Sequence, residues 1–181
     1  MNILQFKPTT EQLLQASQFA NAYNQHGFGK NVLGVSYEEY ISFIRIGKLC
    51  EIILADFLRL ENIEFEAPEM LIPHPGNHKK GADLLLTHSG QEVDIKAANK
   101  SFHKRILIRE DQFQAHIHDI YIGAKYHNDQ LVTYHGYITG DEMNKITPHD
   151  FGYGLCRYML LDQLKPMEQF VKQCKLKEKI S

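Results

Sequence analysis

Three cysteines in 181 residues, Cys50, Cys156 and Cys174, are odd in number, scattered and without CxxC spacing. That pattern argues against both a disulfide framework and a cysteine zinc site, and it fits a reducing compartment. No apolar run approaches the length of about 18 residues needed to cross a membrane, and Met1-Asn2-Ile3-Leu4-Gln5-Phe6-Lys7 lacks the form of a signal peptide. The expected location is the cytoplasm. An excess of one charge is missing too: 20 basic side chains stand against 22 acidic ones, a net of −2, so overall charge does not advertise a polyanionic partner. Repeats, linkers and low-complexity tracts are also lacking. With 43% hydrophobic residues, there is enough chain for one domain with a substantial core and too little for two.

Periodicity predicts an α/β (α+β) chain. Thr9 and Thr10 open a helix with Leu13, Leu14, Ala16, Phe19, Ala20 and Tyr23 on its apolar side, ending near Gly27. Ser36-Tyr37-Glu38-Glu39 has the form of a capping box and starts a second helix, which runs to Leu60. Residues 63–72 read as an edge strand that Pro68 and Pro73 keep short. Strands follow around 83–86, 91–97, 120–124 and 131–138, with a short helix expected over 110–119. Turn residues dominate after Asp141, until 160–175 reads as a helix interrupted at Pro166.

The stretch from Gly81 to Ala97 carries the chemistry. Two apolar strands there hold acids and one lysine where hydrophobes are expected. Alternation puts Asp94 and Lys96 on one face and Val93, Ile95 and Ala97 on the other. A two-residue turn centred on Ser89-Gly90 sets Asp83 opposite Lys96 and Leu85 opposite Asp94. Two carboxylates and an ammonium then converge, and the carboxylates repel unless a cation sits between them. Mg²⁺ suits such a place, because it takes oxygen ligands and commonly uses only one or two protein carboxylates. The plainer alternative is a surface hairpin with a cross-strand Asp/Lys ion pair. On the second helix, Tyr40, Ile44, Gly47, Glu51, Ala55 and Leu58 form one stripe in which Glu51 is the only acid, so Glu51 needs a partner: the same site, solvent, or a neighbour such as Lys48.

These residues resemble the PD-(D/E)xK nuclease superfamily. Asp83 matches its first acidic position, Asp94 its second and Lys96 its lysine, while Ala82 stands where the family's name places proline. The resemblance covers about the middle third of the chain. It implies a restriction-endonuclease-like core, a central mixed β-sheet flanked by helices, in one nuclease domain with N-terminal helices over 9–60, a catalytic core over about 36–140 and a C-terminal extension over 141–181. The implied activity is hydrolysis of DNA phosphodiesters with Mg²⁺, or Mn²⁺ in its place. Asp83, Asp94, the Ile95 carbonyl and Glu51 would bind the metal, and Lys96 would orient or deprotonate a water or neutralise developing charge. A type II restriction endonuclease acting as a homodimer on duplex DNA is the expected form. A branched-DNA, repair or phage nuclease, or a binding module without turnover, is the alternative. In some relatives a glutamine on the next helix approaches the site, which makes Gln114 an accessory candidate.

Local charge fits such a partner. Residues 79–109 hold seven basic side chains, Lys79, Lys80, Lys96, Lys100, Lys104, Arg105 and Arg109, against three acids, a net of +4. Apart from Lys96 these are the expected DNA contacts, unless the segment is simply a solvated loop. Histidine chemistry is not expected. His74 and His78 lie in a Pro-Gly loop, Asn77-His78 lacks the surroundings of a His-Asn-His nuclease, and His116 and His118 would share a face only on extended backbone, whereas their segment reads as helix.

Overall fold

The computed structural model describes residues 3–25, 35–67, 81–100, 102–152 and 154–178. Its elements are β1 (Leu4–Phe6), α1 (Thr10–Gln25), α2 (Tyr37–Leu60), β2 (Phe65–Glu66), β3 (Leu84–Leu86), β4 (Glu92–Ala98), β5 (Arg105–Arg109), α3 (Glu110–Ala115), β6 (Ile120–Asn128), β7 (Leu131–Thr139), α4 (Gly140–Asn144), β8 (His149–Asp150), β9 (Leu155–Leu160) and α5 (Met167–Glu178). A six-stranded mixed sheet has the order β1-β7-β6-β4-β3-β2, and a three-stranded sheet has the order β5-β9-β8. The β4–β6 pair is parallel and its neighbours are antiparallel. The chain is therefore α+β with a mixed sheet and packed helices. Among the described residues no helix is long and apolar enough to cross a membrane.

The long helix α2 is bounded by its own sequence. Ser36 accepts a hydrogen bond from the Glu39 N–H, and at the far end Asn62 adopts φ 59° while the Asn62 and Ile63 N–H groups return to the Arg59 and Leu58 carbonyls. This is the left-handed helix stop with its apolar clasp, Ile63 and Leu58 both being buried. The centre of α2 is buried nearly all round, from Leu49 to Ala55, so no single stripe defines its core face.

Alternation along β4 separates two cores. Val93 and Ile95 join residues of α1, α2 and α5 in the larger one. Ala98 joins Ile106, Phe113, Tyr121, Met143 and Leu164 in the smaller. The C-terminal residues contribute to this frame: β9 pairs with β5, and Met167 and Phe170 of α5 are fully buried in the larger core. Arg157 of β9 anchors the second sheet. It donates to both Glu110 carboxylate oxygens at 2.7 and 2.8 Å and to the carbonyls of Met143, Asn144 and Ile146 at the end of α4.

The β3–β4 register differs from the expected one. Leu84 faces Val93 and Leu85 faces Glu92, because four residues, 87–90, make the turn instead of two. Gly90 at φ 62° closes it, donating to the Leu86 carbonyl at 2.8 Å. The slip is two residues, and an even slip keeps every side chain on its face. Asp83 therefore stays on the face of Asp94 and Lys96, next to Asp94 instead of opposite Lys96.

Candidate active site

The β3–β4 pairing stops just short of the acidic residues. β3 contributes no ladder partner beyond Val93, which would leave the Ile95 N–H without an acceptor on that side. Asp83, one residue before β3, supplies one: its Oδ2 accepts from the Ile95 N–H at 2.7 Å. Asp94 projects from the next position of β4 and is only 7% exposed. Lys96, two residues on, places Nζ 3.0 Å from Asp94 Oδ1 and 2.8 Å from Oδ2. The second approach lies off the hydrogen-bonding direction, and Oδ2 has no hydrogen-bond partner among the described residues. The Lys96 ammonium compensates the charge of this oxygen, and its remaining lone pairs could serve a cation.

Glu51 of α2 completes the cluster from another element. It is buried and ion-paired with Lys48, itself 4% exposed and lying 4.1 Å over the Phe19 ring. Glu51 thus serves both a neighbour and the site, since its charge also acts on Asp83. Burial, then Glu51, then Asp94 push the Asp83 carboxyl well above the usual carboxylate range, against a weaker pull from Lys96 and the Ile95 N–H. For Lys96, burial favours the neutral amine, but Asp94 and Asp83 outweigh it and raise the ammonium's pKa. Lys96 is therefore a fixed cation at neutral pH. The carboxylates suited to a divalent ion are those of Asp83, Asp94 and Glu51, an all-oxygen set.

The basic candidates divide. Lys79 and Lys80 lie outside the described residues, as do His74, Asn77 and His78. Lys100 is exposed and pairs with Glu39 at 3.1 Å, and Arg109 is held by Asp111 at 2.7 Å. Lys104 and Arg105 line a cavity of about 650 Å³ that begins at Lys96 and passes Asn99, His103 and Phe151. Arg105 stacks 4.3 Å over the Phe151 ring. Burial and the neighbouring cations Lys100, Arg105 and Lys125 hold the His103 imidazole below its ordinary pKa, a sign of positive field along this cavity. Gln114 is exposed and donates to Glu110 at 2.8 Å, so its amide is engaged away from the acidic cluster.

One group of residues is not anticipated by the sequence. The helix expected over 110–119 ends at Ala115, and His116 is extended at φ −159°, ψ 113°. His116 and His118 consequently reach the same carboxylate, Glu92, on β4. The available signal was the His-x-His alternation immediately before a strand that runs parallel to β4. Comparison with family models, with curated proteins and with solved structures yields no match to this chain.

Proposed function

We propose that the chain is a Mg²⁺-dependent DNA endonuclease with a restriction-endonuclease-like core, Mn²⁺ serving in place of Mg²⁺. The observation that carries this reading is that Asp83, Asp94 and Lys96 lie together at the β3–β4 edge, with Glu51 of a third segment near enough for its charge to act on Asp83. Asp83 and Asp94 bind the ion, with Glu51 and the Ile95 carbonyl as further oxygen donors. When bound, the ion supplies Lewis-acid polarisation of the phosphoryl group and a water of lowered pKa. Lys96 would orient the attacking water, neutralise charge developing on the phosphoryl group, or, where the bound cation offsets the pull of Asp94 and Asp83 on its proton, help deprotonate that water. Lys104 and Arg105 hold backbone phosphates along the cavity that leads from Lys96. A module that only bound DNA would gain nothing from mutually repelling acids. Cutting both strands calls for two copies of the chain, one site per strand.

Supercoiled plasmid and linear duplex incubated with Mg²⁺, Mn²⁺, Ca²⁺ or EDTA test the reading. Cleavage is expected in the first two and little or none in the others, because Ca²⁺ takes the same ligands with longer, looser coordination. Asp94→Ala is expected to lose cleavage while still binding DNA. A folded Asp94→Ala protein that cuts at the wild-type rate, or wild-type cutting undiminished by EDTA, overturns it.

A further inference from the structure

Glu92, Asp94 and Lys96 follow one another on a single face of β4, and the first of them lies outside the acidic cluster just described. It meets two histidines. The Glu92 carboxylate lies 2.5 Å from His116 Nε2 and 3.2 Å from His118 Nδ1, and one ligand atom from each residue falls within 4.8 Å of the others. Three donors that close are compatible with a common ion at bond lengths of about 2.0–2.2 Å after small rotamer adjustments.

The backbone behind these donors is fixed. Asp119 Oδ2 accepts from the Glu92 N–H at 2.8 Å, the Gly140 N–H donates to the Asp119 carbonyl at 2.8 Å, and the His118 N–H donates to the Tyr121 hydroxyl at 3.1 Å. A Cβ on residue 140 would stand 2.2 Å from the His118 carbonyl, so a glycine there is what lets the segment pack this close. The far side of the His118 ring is addressed as well: Nε2 lies 3.9 Å from Asp94 Oδ1, within ion-pair range. At that distance Asp94 does not hydrogen-bond the ring but lies near enough for a small rotation of His118 to bring the ring N–H within reach of it. His116 is 53% exposed and Glu92 33%, leaving room for water or an anionic ligand to complete the coordination.

We propose that Glu92, His116 and His118 form a second divalent-cation site, selective for a borderline ion of the Zn²⁺ class, abutting the oxygen cluster through His118 and Asp94. Two imidazoles and a carboxylate suit Zn²⁺, Co²⁺ or Ni²⁺ and are a poor set for Mg²⁺, which keeps to oxygen. The site does not depend on the nuclease reading, and binding is measured apart from cleavage.

The test is calorimetric titration of the metal-free full chain with Zn²⁺ near neutral pH, with excess Mg²⁺ present to occupy the oxygen cluster. One equivalent is expected to bind. Affinity is expected to fall at least about tenfold in His116→Ala and in Glu92→Gln, and to hold in Asp83→Asn. His116 is exposed, so its loss leaves the fold intact, as a melting curve would verify. His116→Cys supplies an independent readout: with Co²⁺ it should show a thiolate-to-cobalt absorption band that wild type and His116→Ala lack. Absence of Zn²⁺ binding by the wild type, unchanged affinity in a folded His116→Ala, or loss in Asp83→Asn with retention in His116→Ala would each overturn the proposal. The last of these would place the ion in the oxygen cluster.

Discussion

Asp83 is a carboxyl group in surroundings that penalise its charge: it is partly buried, and Glu51 and Asp94 are both close enough to repel it. Without a bound cation, that repulsion is stored in the folded state and absent from the unfolded chain. Asp83→Asn should therefore melt higher than wild type in EDTA. Relief of about 1 kcal/mol would raise Tm by about 3 °C in a chain of this size. The amide keeps an oxygen for the Ile95 N–H, so the backbone hydrogen bond survives. Thermal melts near neutral pH measure the difference, and a lower melting point in the variant would sink the charge-crowding account. Glu51 shows how residue identity was legible while the choice of partner was not. Its place among apolar positions marked it as needing a partner, with Lys48 and the acidic site among the candidates, and packing shows that it serves both: Lys48 pairs with it and its charge acts on Asp83.

At the scale of elements, short helices and strand crossings depend on single groups. Helix α4 begins with a full capping box. Thr139 accepts from the Glu142 N–H, while the Glu142 carboxylate accepts from Thr139 and pairs with Lys165 at 2.6 Å. Burial alone would raise the Glu142 pKa, but the bonds from Lys165 and Thr139 prevail and lower it from an ordinary 4.5 to about 2. A depressed carboxylate contributes stability that is fully present above its unfolded pKa and is lost as pH falls through the folded one. Glu142→Gln should accordingly be less stable than wild type at pH 6, with the gap closing between about 4.5 and about 2; urea melts across that range check it. Where β6 and β7 cross, Gly123 faces Gly136 and a bulge follows. A Cβ on Gly136, at φ 152°, would meet the Lys165 carbonyl at 2.1 Å, an oxygen already bonded to the Tyr137 N–H. At Gly123 the nearest obstacle, at 2.3 Å, is the flexible end of Leu164. Gly136→Ala is expected to cost about 3 kcal/mol or more and Gly123→Ala about 1–2 kcal/mol, read from urea unfolding. The reverse order would mean that the side-chain packing is the stiffer constraint.

The whole molecule is polarised, not basic. Its net charge is −2, yet Lys96, Lys104 and Arg105 line one cavity, and nearby cations add to burial in holding the His103 imidazole below its ordinary pKa. If backbone phosphates pass there, changing Lys104 and Arg105 together to Ala should lower the slope of log affinity against log salt by about 0.9 for each phosphate left without its cation. Lys100, already paired with Glu39, should add less than either. Binding of a fluorescent duplex over a salt series measures the slopes. An unchanged slope in the double variant would place the DNA track elsewhere and leave the oxygen cluster as the surviving part of the reading.

Local rules in the sequence determined the long helices, the apolar strands and the face on which Asp83, Asp94 and Lys96 lie, because these depend on caps, on periods of 3.6 and 2, and on parity that survives an even register slip. Long-range packing decided the rest. The 87–90 turn moved Asp83 beside Asp94. β5, β8 and β9 became a second sheet because segments far apart along the chain pair with one another, Ile106 with Met159 and Arg109 with Cys156. The helix expected through His118 stopped at Ala115 because Asp119, Gly140 and Tyr121 hold the following backbone extended against the start of β4. Interactions of that kind join groups distant in sequence, and no local pattern in the chain encodes them.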